Sequence, residues 1–185
     1  MNTNPMMIYF GQEFGEMGMD NEGFSGRDGR TTIFDYWSVE TIRRWRNGGK
    51  FDGKMLNEDH KYLYDIYQKV LTLCNEEPAI TQGVFFDLMY ANINGWRFNE
   101  HKQYTFMRKY KNEILFFVIN FDSQLVDVAI NVPSHAFDFL QIPQMESYQA
   151  IDLMTGAKEE ICLLPYKPTD VSVGGYNGKI LKITF

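Results

Sequence analysis

Cysteine, histidine, proline and long apolar runs are all scarce in this chain of 185 residues. The two cysteines, Cys74 and Cys162, fall in segments of different pattern, one helical and one strand-like, which predicts buried free thiols rather than a disulfide framework. His60, His101 and His135 stand apart, so no Cys and His cluster has metal-ligand spacing. No apolar run approaches the ~18 residues of a membrane span, and the chain is expected to be soluble with no membrane partner. The amino terminus, MNTNP, has no positive charge before its short apolar run, and that run ends in Gly-Gln-Glu rather than a small-residue cleavage site. This predicts no signal peptide. The formal charge is -6, and apart from Arg43, Arg44 and Arg46 the basic residues are scattered. Such a distribution leaves no electrostatic footprint for nucleic acid, which is excluded as a partner. There is also no internal repeat or low-complexity tract.

What is present is a globular composition, 44% hydrophobic and 16% aromatic, in a length that holds one domain or one small domain with an appendage. The opening stretch organises the rest. Met6, Met7, Ile8, Tyr9 and Phe10 form an apolar run that stops at Gly11 and passes to Gln12 and Glu13. A strand apolar on both faces implies a covered parallel sheet, and polar residues at its carboxyl end are how such a strand serves a site. From Glu13 to Asp35 there is no periodicity, and a loop of that length with glycines at 15, 18, 23, 26 and 29 is functional or disordered.

Helical patterns follow. Ser38 is placed to cap a short helix through Arg46, ended by Gly48-Gly49. Asn57, with Glu58 and Asp59 in the first turn, starts the longest helix, running to about Asn75 with Leu63, Ile66, Tyr67, Val70, Leu71 and Cys74 on one face. Pro78 forbids its continuation. After Ile80 the period changes to two, which sets a domain boundary near Gly83, giving 1-82 and 83-185. Candidate strands are 84-91, 104-110, 113-121, 125-132, 148-153, 158-163, 169-174 and 179-185, with Lys111-Asn112 as a hairpin turn. Ser134 is placed to cap a single helical turn over HAFDF. Short strands at this spacing predict an antiparallel sandwich, within a chain that is α+β but mainly β.

Several segments carry a resemblance. PMMIYFGQEFGE is similar to the last barrel strand of the alpha-amylase superfamily, glycoside hydrolase family 13, where a strand of the type P-x-I-Y-x-G-x-E follows the final catalytic histidine and aspartate. GRDGRTTIFDYW resembles that family's loop R-D-x-x-R-T-P-M-x-W, with one residue missing between Asp28 and Arg30 and Thr32 in place of proline. LYDIYQKVLTLCNEEPAITQG looks like the last barrel helix, and YTFMRKYKNEILFFVINF resembles the arginine-bearing strand and the Asn-Phe run of the carboxyl-terminal sandwich. The resemblance implies the last strand, loop and helix of a (β/α)8 barrel followed by an antiparallel β-sandwich. It implies an alpha-glucan or maltooligosaccharide as substrate of the parent enzyme, and the rest of the barrel as partner.

The family's retaining chemistry needs a nucleophile and an acid/base carboxylate about 5 to 5.5 Å apart. The resemblance places these, and a third aspartate, on earlier barrel strands. The chain has no Arg-x-Asp nucleophile segment, and none of its histidines precedes an aspartate, so no catalytic residue is assigned and the chain alone is expected to be inactive. Candidate sugar-contacting residues are Gln12, Glu13, Arg27, Asp28, Arg30 and Trp37. Each has a structural alternative. Gln12 and Glu13 would hold loop backbone, the two arginines and Asp28 would brace the loop as a charge network, and Trp37 with Tyr36 would anchor the following helix. Glu16, Asp20 and Glu22 could collect calcium in the parent enzyme, but no ligand ladder assigns a metal here, and no cofactor is expected. Trp96, Tyr104 and Tyr176 would form a sugar platform if the sandwich is a free-standing carbohydrate-binding module, and scattered packing aromatics otherwise. A fragment completing a split barrel in trans is a further alternative. An isolated strand at 6-11 exposes unpaired backbone groups, so it is expected to be disordered, to fold onto the sandwich, or to form a homodimer through that edge.

Overall fold

The computed structural model describes residues 6–9, 11–16 and 40–185. Backbone packing divides the chain into two compact units, Met1–Leu73 and Cys74–Phe185. Among the described residues no helix is long and apolar enough to cross a membrane.

In the first unit the described elements are helical. Helix α1 spans Glu40–Arg46, and α2 spans Glu58–Glu76, extending past the division between the units. The amide of His60 donates to Asn57 Oδ1 at 2.8 Å, so Asn57 caps α2 as its sequence predicts. The stripe expected on α2 is covered only in part, and none of its 19 residues is buried. Residues 38 and 39, at the predicted start of α1, lie outside the described residues.

Of the strand expected over residues 6–11, residue 10 lies outside the described residues, and the described ones form no strand. Residues 6–9 have no regular structure, and Met6, Met7 and Tyr9 are exposed. A continuous apolar run identifies a segment able to enter a covered sheet, but a strand exists only with a neighbour that takes its backbone donors and acceptors. Among the described residues no strand pairs with this segment.

The second unit is an antiparallel β-sandwich. A single turn of helix, α3 (Pro78–Thr81), leads into β1 (Val84–Asp87), then β2 (Gln103–Tyr110), β3 (Glu113–Asn120) and β4 (Val126–Ile130). Helix α4 (Ser134–Leu140) precedes β5 (Met145–Asp152), β6 (Lys158–Leu163), β7 (Thr169–Val173) and β8 (Asn177–Thr184). Six strands form one sheet in the order β1-β2-β3-β8-β5-β6, and β4 pairs with β7 in a second. Every pairing is antiparallel. All eight predicted strands are present, β6 with the predicted ends and the others with shifted ones. The largest difference is at β1, which stops at Asp87 because Met89–Ala91 turn into a 3-10 helix. Tyr110 pairs with Glu113 across the predicted Lys111-Asn112 hairpin, and Lys111 takes φ 52 to close it.

Ser134 is not the cap of α4. Pro133 occupies that position with no side-chain bond, and Ser134 is the first helical residue. The helix is also longer than one turn, since Ala136, Phe137 and Leu140 all enter the core. There they meet Ile114, Phe116, Val118, Leu181 and Ile183 from the large sheet and Val128, Ile130, Val171 and Val173 from the small one.

The other face of the large sheet is closed by the segment before β1. Phe106 and Phe117, paired in register, stack with centroids 4.2 Å apart. Beside them Arg108 is 2% exposed, and burial draws its guanidinium below the ordinary arginine value. It donates from Nε to the Ala79 carbonyl and from a terminal nitrogen to that of Gly83, both at 2.8 Å. Two strands from Arg108, on β8, Lys182 Nζ bridges Glu77 at 2.7 Å and Glu113 at 2.9 Å. Burial pulls that ammonium down, and the two carboxylates more than offset it, raising it above the usual lysine value. Cys74 and Cys162 are both free thiols, as expected, but half-buried rather than buried.

Candidate functional site

The expected cleft-lining residues sit on a short turn in the first unit. Gly11 at φ 81 permits the sharp exit from residues 6–9, where a β-carbon would stand 2.9 Å from Glu16 Cβ. A 3-10 turn, Gln12–Phe14, follows. Phe14 is buried, its ring stacked on Tyr64 at 5.4 Å and tilted against Trp45 at the same distance. That anchor fixes the two polar residues before it.

Gln12 is used by the fold. Its Oε1 accepts from the Tyr9 amide at 3.1 Å, and its Nε2 donates to the Tyr67 hydroxyl at 2.6 Å. Glu13 is half-buried and makes no hydrogen bond or ion pair among the described residues. Glu16 accepts from the Thr41 hydroxyl, which ties the turn to α1. Arg27, Asp28, Arg30, Trp37 and the proposed calcium-collecting residues Asp20 and Glu22 lie outside the described residues. Among the described residues there is no group of three or more His, Cys, Asp or Glu able to hold a metal ion.

A groove of about 330 Å³ opens in the same unit between Trp45, Phe51, Leu56 and Tyr64, with Asp52, Lys54, Lys61 and Asp65 among its lining. It is built by the loop after α1, where Phe51 takes φ 54 and Gly53 φ 64. Asp52 Oδ1 accepts from Asn47 Nδ2 at 2.8 Å and from the Lys54 amide at 3.2 Å, and these bonds hold its carboxyl below the usual range. Sequence reasoning missed this groove, because NGGKFDG reads as helix stop and turn. The available signal was one aromatic set among Gly, Asn and Asp.

A second groove, of about 450 Å³, lies in the sandwich against Arg97, Phe98, Asn99, Gln103, Asp122 and Asp127. Lys102 Nζ pairs with Asp122 Oδ2 at 2.6 Å. Trp96 is 71% exposed beside it, with the Arg97 guanidinium 4.2 Å from its ring centre and paired in turn with Asp170. The exposed Tyr176 reaches the same region, its amide donating to the Asp122 carbonyl at 2.7 Å. Tyr104 does not join them. It packs on Phe106, on the face of β2 opposite Gln103, and burial followed by the charge of Asp87 raises its hydroxyl above the ordinary tyrosine value.

The fold is of the alpha-amylase type. A maltogenic alpha-amylase, AmyB from Thermotoga neapolitana, superposes over 70% of this chain and 26% of its own with a TM-score of 0.51 at 11% identity. An alpha-amylase from Geobacillus thermoleovorans matches 74% of this chain and 26% of its own, with a TM-score of 0.47 and 16% identity. An Anoxybacillus alpha-amylase matches 73% and 25%, with a TM-score of 0.46 and 16% identity. The chain thus spans about a quarter of the length of these structures. No family model matches the sequence, and no curated protein matches it.

Proposed function

We propose that this chain is the carboxyl-terminal, non-catalytic portion of a glycoside hydrolase acting on alpha-glucans. Residues 1-82 would supply the last strand, loop and helices of a (β/α)8 barrel, and residues 83-185 its sandwich. The observation that carries this reading is α2, a helix with an apolar stripe and no buried residue, preceding a sandwich whose fold a maltogenic alpha-amylase shares. A stripe so incompletely covered fits a helix whose sheet comes from elsewhere. The exposed Met6, Met7 and Tyr9 fit a strand with no ladder to join. On this reading Glu13 faces a cleft whose reacting carboxylates lie on other strands.

The test is complementation. A polypeptide carrying seven barrel strands with the three family carboxylates is mixed with this chain, and maltoheptaose hydrolysis is followed. Recovered turnover supports the reading, and failure of the two to associate counts against it.

A second reading is a carbohydrate-binding sandwich, favoured by the exposed Trp96 beside the larger groove. Calorimetric binding of maltoheptaose that disappears in Trp96→Ala would distinguish it.

A further inference from the structure

The chain contains three Asn-Gly pairs, at 47-48, 94-95 and 177-178. In such a pair the backbone nitrogen of the second residue easily approaches the side-chain amide carbon of the first, because glycine has no β-carbon to obstruct it. The fold treats the three pairs differently. Asn47 Nδ2 donates to Asp52 Oδ1 at 2.8 Å, and the residue sits at φ 45 in the 3-10 turn Asn47–Gly49. Asn94 takes φ 55, and the Gly95 amide donates to the Asn92 carbonyl at 3.0 Å. At both pairs one of the two groups is already committed elsewhere.

At the third pair the two groups face each other. Asn177 is exposed and opens β8, at the end of a ladder, where fraying starts. The Gly178 amide donates to Oδ1 of Asn177 itself at 2.8 Å. With a C=O bond of about 1.23 Å, that contact keeps the nitrogen within about 4 Å of Asn177 Cγ. No strand competes for this N–H. The Phe185 amide donates to the Asn112 carbonyl at 3.0 Å, and the register with β3 is unbroken, so odd residues of β8 bond to β3 and even ones point the other way. On that side the Ile180 amide reaches Asp152 Oδ1 at 3.3 Å, and its carbonyl takes the Leu153 amide at 2.8 Å. Strand β5 pairs only with residues 181–183 of β8, which leaves Gly178 beyond its end.

We infer that Asn177 is a site of spontaneous deamidation, and that of the three pairs it converts first in the folded chain. The Gly178 nitrogen bonds to Cγ as the Cγ–Nδ2 bond breaks, and Nδ2 leaves as ammonia together with the proton from the Gly178 amide. Water then adds to either carbonyl of the cyclic imide and opens it to aspartate or isoaspartate. One water is consumed and one ammonia released, with no change of oxidation state. Either product adds a negative charge at the start of β8. Isoaspartate also inserts a methylene into the main chain directly after Tyr176, whose amide donates to the Asp122 carbonyl at 2.7 Å. The turn that presents the exposed Tyr176 beside the larger groove is therefore the part that the conversion alters.

Peptide mapping by mass spectrometry tests it on the full chain held in mildly alkaline buffer for increasing times, reading the amide-to-acid mass change at each pair. Enzymatic methylation of isoaspartate counts that product, and a parallel sample in urea gives the rates with the fold removed. The expected result is conversion at Asn177 several-fold faster than at Asn47 and Asn94 in the folded chain, with the three rates drawing together in urea. Gly178→Ala should slow conversion at Asn177 by about tenfold, since a β-carbon hinders closure of the ring. That β-carbon would meet nothing nearer than Ile119 Cγ1 at 3.5 Å, so the variant keeps the fold, which an unchanged thermal midpoint checks. Earlier conversion at Asn47 or Asn94, an intact Asn177 in the folded chain, or an unchanged rate in Gly178→Ala overturns the inference. The same ranking persisting in urea overturns its structural basis and assigns the preference to neighbouring residues in the sequence.

Discussion

Arg108 on β2 donates its Nε hydrogen to the Ala79 carbonyl at 2.8 Å, and through that bond a buried guanidinium closes the end of α3. The same side chain takes the part-buried Gly83 carbonyl, so one residue serves two backbone acceptors. Arg108→Met keeps much of the volume and leaves both acceptors unpaired. It should cost about 3 kcal/mol, measured as a lower urea midpoint with unchanged slope. Arg108→Lys should recover only part of the loss, since an ammonium cannot reproduce the fork.

Gly83 carries a steric requirement beside it. A β-carbon there would lie 2.1 Å from the Ala79 carbonyl oxygen, which is backbone and cannot rotate away. Gly83→Ala should therefore displace α3 and destabilise by about 2 kcal/mol. Because both changes act on the Ala79 carbonyl, the double variant with Arg108→Met should lose less than the sum, a coupling that a double-mutant cycle measures.

Acid should reach the sandwich through Asp122. The Lys102 side chain, followed by the Gln124 amide, holds its carboxyl below the usual range. Its contribution is then present above the unfolded value of about 3.9 and lost as pH falls through the lower folded value. Asp122→Asn should lower the thermal midpoint near neutrality and flatten its fall below about pH 4. An unchanged acid limb would show that the Lys102 pair contributes nothing measurable.

The turn carrying Glu13 should be held by Tyr67. Removing that hydroxyl with Tyr67→Phe deprives Gln12 Nε2 of its acceptor. Amide exchange across residues 11–16 should speed up, while protection of β3 and β8 stays as it was. Equal loosening in both regions would contradict a local role.

Much of the sandwich was legible because short β-prone runs are set off by turn signals, as residues 103–110 and 113–120 are on either side of Lys111-Asn112. The Asn57 cap was legible for a similar reason, since a short polar side chain before two acids is a local signal. Residues 6–9 were not, because periodicity reports which side chains could be buried and not whether a neighbouring strand exists to pair with. Ser134 was misread since Pro133, one residue earlier, already provides the extended entry that a cap requires. Nor could Phe51 and Asp65 be joined from sequence. Their proximity follows from a loop in which Phe51 adopts a left-handed backbone, and nothing in residue type announces that. The site residues 27, 28, 30 and 37 lie outside the described residues.

The central claim is that the reacting carboxylates lie outside this chain. Release of reducing ends from maltoheptaose by the purified chain tests it most directly, with Glu13→Gln run in parallel. The account predicts no turnover above the buffer rate for either protein. Turnover by the unaltered chain would contradict it, and its loss in Glu13→Gln would place the chemistry at the turn between Gly11 and Gly15.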